Sequence, residues 1–171
     1  MILEQHRSIA EAAAQIHAQR GLEYDGKPYS FHLYQAYNVL LPLFGEYNDI
    51  MQGALCHDLL EDTGMTYNDL VKMSDVETAD IVYDVTNELG KNRKERAERT
   101  YPKIAANVRA VIVKVGDRFV NMLYSRDSGS SMFKKYKQEY PTFREKLYNP
   151  AHFVEFPQLE TLWAMLDEIA N

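Results

Sequence analysis

In the stretch CHDLLEDTG, residues 56–64, the ionisable side chains His57, Asp58, Glu61 and Asp62 interrupt an otherwise apolar run. On a helix, His57 and Glu61 are four residues apart, as are Asp58 and Asp62, so they form two neighbouring rows on one side. Adjacent His57 and Asp58 could both reach one atom above the helix, with two carboxylates a turn further on for proton transfer. That pattern suits a metal site; it equally suits a helix end bearing solvated charges. Two other positions bear on the choice. His32 lies between Phe31 and Leu33, where a neutral core histidine is the ordinary occupant. Asp117 lies inside a long apolar segment with Asn121 four residues on, and a carboxylate so placed needs a partner if it is buried. Cys56, next to His57, reads as a small core residue rather than a nucleophile.

The elements that would position these residues are helical. Ile2, Ile9, Ala13 and Ile16 predict a helix over 2–19, ended by GLEYDGKPY with its two glycines and proline. A second helix is expected from Phe31 to about Phe44, bent or stopped near Pro42, and a third from about Tyr47 to Asp62. Thr66 with Asp69 and Ser74 with Glu77 each resemble a capping box and predict two further helix starts. The β-branched residues of VRAVIVKVGDRFVNML suggest a strand. Its apolar positions, Val108, Val111, Ile112, Val115, Phe119, Met122 and Leu123, nevertheless keep helical spacing over a length few strands reach. Two more helices are expected, at 131–148 with an interruption at Pro141 and at 156–170. No convincing alternating run is present, so the expected class is all-α, a compact multi-helix bundle.

The chain of 171 residues, with 46% hydrophobic and 26% charged residues, is expected to be one domain over 1–171, large enough for a core without staples. Its N-terminal residues carry charge where a secretory signal is apolar, and no stretch is long and apolar enough for a membrane span. One cysteine suits a reducing compartment, so the expectation is a cytoplasmic protein. A net charge of −6 argues against a nucleic-acid partner held by phosphate neutralisation, but leaves room for a small anionic ligand.

Three motifs in order, GKPYSFH (26–32), ALCHDLLEDT (54–63) and KVGDRFVNM (114–122), resemble the HD-domain metal-dependent phosphohydrolases. More narrowly they are similar to the hydrolase domain of the RelA/SpoT family and to the small alarmone hydrolases, over residues 5–125. The resemblance implies that His32, His57, Asp58 and Asp117 hold one metal, usually Mn²⁺. Two imidazoles with two carboxylates do suit a borderline-hard divalent ion. It implies that Glu61 and Asp62 are the catalytic acidic pair and that Asn121 touches the ribose. The substrate it implies is guanosine 3′,5′-bis(diphosphate) or its pentaphosphate relative, hydrolysed at the 3′ position to release pyrophosphate.

Family members carry an Arg-Lys pair before PYxxH, the arginine stacking on guanine; here Arg20 and Lys27 are the counterparts, separated by GLEYDG. That irregular spacing keeps open another phosphorylated nucleotide, such as NADPH or a nucleoside monophosphate, and a non-catalytic nucleotide-binding module. In the basic run GKNRKERAER (90–99), Lys91, Arg93 or Arg96 could hold distal phosphates, although a solvated helix face suits most of the run. Arg118, beside Asp117, is the stronger candidate for phosphate or for a carboxylate partner. The last 45 or so residues match no pattern; their helices, with Trp163, could cover the core or form a subunit contact, so a homo-oligomer stays open.

Overall fold

A computed structural model describes residues 1–171. A 3₁₀ turn at Glu4–His6 leads into α1 (Arg7–Gln19), whose Ile9, Ala10 and Ala13 face inward. Buried His6 fastens this end to the body: Nε2 donates to Asn48 Oδ1 at 2.7 Å and Nδ1 accepts from the Tyr37 hydroxyl at 2.8 Å. Two-residue strands β1 (Glu23–Tyr24) and β2 (Lys27–Pro28) then form a small hairpin. Asp25 and Gly26 turn it with φ of 51° and 74°, the left-handed conformation that an Asp-Gly pair supplies most readily. Strands this short have no alternation to read.

The helices α2 (Ser30–Phe44), α3 (Asn48–Cys56), α4 (Leu59–Asp62), α5 (Tyr67–Met73) and α6 (Val76–Val85) follow. After them come α7 (Arg93–Ala105), α8 (Val108–Asp127), α9 (Met132–Leu147), α10 (His152–Glu155) and α11 (Gln158–Ala170). The chain is all-α apart from the hairpin. Helix α8 is the hub, packed by α2, α3, α6, α7, α9 and α11. Its run Ala110–Val113 and Val115 is buried, because neighbouring helices enclose α8 on most sides. Trp163, Leu159, Leu162 and Leu166 of α11 join that same core. The C-terminal residues therefore cover it, one of the two roles open from sequence. No helix is long and apolar enough to cross a membrane.

Three expectations change. The third helix does not run from Tyr47 to Asp62 without a break: α3 ends at Cys56, and α4 begins at Leu59. The Ala54 carbonyl, which a continuous helix would give to the amide of Asp58, accepts instead from His57 Nδ1 at 2.9 Å. The helix after Ser74 starts one residue later, because Asp75 is its N-cap, accepting from Thr78 N at 2.7 Å, while the Ser74 hydroxyl donates back to Leu70 O at 2.8 Å. Pro42 and Pro141 lie inside continuous helices. A proline inside a helix costs roughly 3 kcal/mol. Around Pro141, burial of Tyr140, Phe143 and Leu147 outweighs that, at about 1.5–3 kcal/mol for each large side chain.

Gly116 lets α2 and α8 approach. A Cβ there would stand 2.9–3.1 Å from three side-chain atoms of fully buried Leu40, closer than carbon atoms pack. Gly116→Ala gains helix propensity of up to about 1 kcal/mol, but overpacking a closed core costs about 1–3 kcal/mol. The net expectation is a lower midpoint in chemical denaturation. An unchanged or raised midpoint would show that Leu40 can yield. The change also bears on chemistry, since Gly116 precedes Asp117 and α2 carries His32.

Candidate active site

Three elements bring the sequence-derived donors together. His32 sits in the first turn of α2, His57 and Asp58 occupy the break between α3 and α4, and Asp117 projects from α8. His32 Nε2 is 3.1 Å from His57 Nε2 and 3.2 Å from Asp117 Oδ1. Asp58 Oδ2 lies 3.1 Å from His57 Nε2 and 3.6 Å from His32 Nε2, and Asp117 Oδ1 lies 3.6 Å from His57 Nε2. His57 Nδ1 is spent on Ala54 O, so Nε2 is the nitrogen that faces the cluster.

These separations fit a cation. Metal–ligand bonds of roughly 2.0–2.2 Å set at right or tetrahedral angles place neighbouring donors roughly 3.0–3.6 Å apart. The electrostatics agree: burial opposes charge on His57, yet Asp58 and Asp117 hold its pKa well above the usual imidazole range. Asp58 and Asp117 are displaced downward against the effect of burial, Asp58 chiefly by His57 and Asp117 chiefly by the Lys114 ammonium, 3.2 Å away. Two carboxylates around two imidazole nitrogens call for positive charge, and a divalent ion supplies more of it than a proton does. His32, His57 and Asp117 could bind a metal ion, with Asp58 close enough to join them.

Surrounding residues hold the donors in place. Tyr24 from the hairpin stacks on His32, ring centroids 4.7 Å apart at 8°, and donates to Asn121 Oδ1 at 2.9 Å. Asn121 in turn donates to Asp117 Oδ1 at 2.5 Å. The Tyr29 hydroxyl lies 2.8 Å from Asp58 Oδ2 and 2.9 Å from Asp62 Oδ2. Behind it stacks His17, 4.4 Å away at 5°, a buried ring whose pKa burial lowers. Asp62 is shifted upward, first by burial and then by the charge of Asp58. Glu61 is held differently, by the Asn87 side chain at 3.0 Å to each oxygen and by the Asn87 amide at 3.2 Å. Cys56 is fully buried and its thiol is pushed up to about 12 by burial, as a core residue should be.

The donors open into a cavity of about 610 Å³ whose walls include Glu61, Asp62, Asn121, Lys114 and Arg118. From α7 come Arg93, Lys94 and Arg96, and from α9 come Lys135, Tyr136 and Glu139. The basic run is thus divided: Arg93, Lys94 and Arg96 face the cavity, whereas Arg99 pairs with Glu95 at 2.5 Å. Arg118 is buried between the rings of Tyr136 and Phe143, at 4.9 and 4.8 Å, and both it and Arg93 bind Glu139, at 2.9 and 2.5 Å. Arg118 therefore has a carboxylate partner, one of the two roles its sequence position suggested.

Arg20 and Lys27 are not brought to the cavity wall. Arg20 is exposed and reaches toward the Gly64 turn. Lys27 lies over Phe31 at 4.0 Å and Tyr124 at 4.9 Å. Sequence reasoning missed Asn87, for which no local signal exists. It also missed the α9 wall, which lies beyond the recognisable motifs.

No protein-family model matches the chain. Over 117 residues, 64% of this chain, it is 30% identical to a probable guanosine-3′,5′-bis(diphosphate) 3′-pyrophosphohydrolase of Synechocystis, of which the aligned region spans 15%. Its structure superposes on that of a metazoan ortholog of SpoT, described as hydrolysing ppGpp with a role in starvation responses. The TM-score is 0.69 at 21% identity, covering 99% of this chain and 95% of the other. A Listeria monocytogenes protein superposes with a TM-score of 0.64, also at 21% identity, covering 85% of this chain and 99% of that one. The chain shares the all-α fold of the metazoan SpoT ortholog and is similar in sequence to the Synechocystis pyrophosphohydrolase over those 117 residues.

Proposed function

We propose that residues 1–171 form a single metal-dependent hydrolase domain that removes pyrophosphate from the 3′ position of (p)ppGpp. The observation that carries this reading is one cavity that joins His32, Asp58 and Asp117, with His57 Nε2 against both carboxylates, to the acidic pair and to the cations of α7, α8 and α9. A substrate with a phosphate chain needs both ends of such a cavity. The Synechocystis relative named for this activity is consistent with it.

The four donors would hold one ion, which we take to be Mn²⁺, a metal suited to mixed imidazole and carboxylate ligands. Such an ion supplies Lewis acidity, polarising a phosphoryl group and making water more acidic. The chain's own residues do the rest. Lys94, Arg96 and Lys135 bind the distal phosphates, Lys114 offers an ammonium close to Asp117, and Asn121 orients the ribose. Glu61 positions the attacking water and accepts its proton. As the water oxygen bonds to phosphorus and the bond to O3′ breaks, Asp62 returns a proton to the leaving oxygen. GDP and pyrophosphate are the products when the substrate is ppGpp. Tyr24 bounds the side of the cavity nearest the hairpin that carries Lys27, and the base would lie toward that side. Arg20 is assigned no role. A reducing, cytoplasmic setting suits the buried thiol of Cys56.

The test is incubation with ppGpp and Mn²⁺ beside an EDTA control and a panel containing NADPH and nucleoside monophosphates, with products separated by ion exchange. Metal-dependent formation of GDP and pyrophosphate is expected. Intact ppGpp alongside turnover of another nucleotide would overturn the substrate. Tight binding without turnover at saturating Mn²⁺ would overturn the catalytic reading.

A further inference from the structure

We infer that Asn87 is a positioning residue that sets the Glu61 carboxylate and ties it to the cation-bearing helix α7. The inference rests on the reading of Glu61 as a catalytic carboxylate. Asn87 forks both oxygens of Glu61 through Nδ2, at 3.0 Å each, and adds its backbone amide to Oε2 at 3.2 Å. A carboxylate gripped at both oxygens loses its rotation about the terminal bond, which a base aimed at one water needs.

The segment bearing Asn87 is fastened to α7 rather than left loose. Glu88 N donates to Thr100 Oγ1 at 2.9 Å, and Arg99 Nη1 donates to Leu89 O at 2.9 Å. Lys103 Nζ reaches Thr86 O at 3.0 Å and Glu88 Oε1 at 2.6 Å. Gly90 lies so close to α7 that a Cβ there would stand 2.8 Å from Arg96 N. Asn87 therefore forms the contact between Glu61, beyond the α3–α4 break, and the helix that carries Arg93, Lys94 and Arg96 to the cavity. An anion seated on those cations steadies the same segment that orients Glu61. Helix α4 has a single turn, so it cannot fix the end of a long side chain unaided.

The experiment compares the wild type with Asn87→Ala and Asn87→Asp in ppGpp hydrolysis at saturating Mn²⁺, with Glu61→Gln alongside. Asn87 is exposed, so the thermal midpoint and bound metal should stay at wild-type values. Loss of hydrogen bonds from an exposed side chain predicts a fall in kcat of roughly two- to tenfold with KM within about twofold. Asn87→Asp keeps the shape but sets a carboxylate against Glu61, so its kcat should fall at least as far; a merely space-filling role would leave it near normal. Wild-type kcat in Asn87→Ala beside an inactive Glu61→Gln overturns the inference and spares the reading of Glu61. A fully active Glu61→Gln removes that reading itself.

A second measurement needs no turnover. Hydrogen exchange at the Asn87 amide should accelerate several-fold in Glu61→Ala, because Glu61 is its acceptor. Unchanged exchange overturns the contact, whatever the substrate proves to be.

Discussion

Replacing Asp58 by alanine is expected to remove bound metal and turnover together. Asp58 Oδ2 lies 3.1 and 3.6 Å from the two inward imidazole nitrogens, and its charge is the main influence holding a proton on His57 against burial. Without it, three donors remain, of which only Asp117 is anionic, and the site loses half its negative charge. Wild-type protein given Mn²⁺ at about 100 times its dissociation constant should gain about 2.7 kcal/mol. For a chain of this size that raises the thermal midpoint by roughly 5–10 °C. Asp58→Ala should show no such rise at the same concentration, retain little metal after dialysis, and lose roughly three orders of magnitude in turnover. A full complement of Mn²⁺ with an undiminished thermal shift would mean that His32, His57 and Asp117 suffice, and Asp58 would then belong to the proton chemistry instead.

The sequence exposed the donor residues because their chemistry is conspicuous against an apolar background: a histidine beside Phe31 and an aspartate within the α8 run are costly to bury alone. Helix α8 was legible for the same reason, its apolar spacing overriding the β-branched content. The α3–α4 break was not. It depends on the His57 ring taking the Ala54 carbonyl, a side-chain choice with no periodic signature. In consequence His57 and Asp58 face the cluster from a loosened turn rather than from parallel rows of one helix. Pro141 misled because its cost was weighed without the core that offsets it. Asn87, Glu139 and Lys135 were illegible because a positioning contact needs only a polar group at the right place in space. Their sequence distances from their partners, 26 residues between Asn87 and Glu61 and 21 between Glu139 and Arg118, follow no motif. In the fold Tyr24 lies on His32 and Tyr29 bridges two carboxylates, because the Asp25–Gly26 turn folds them back over the start of α2.

Glu61→Gln is the complementary case, expected to keep the metal and lose the reaction. Glu61 lies on the cavity wall but is not among the residues whose donor atoms cluster at His32 and His57, so metal content and the Mn²⁺-induced thermal shift should match the wild type. The amide is nearly the same shape, yet it cannot accept a proton from water, and removal of a general base typically costs 10²–10⁴-fold in rate. Its NH₂ group would also face the Nδ2 donor of Asn87, which now serves both carboxylate oxygens. Part of the loss would therefore come from misorientation as well as from chemistry. Near-normal turnover would pass the proton-accepting role to Asp62, the carboxyl already shifted upward beside Asp58. Loss of metal along with turnover would instead place Glu61 in the ligand set.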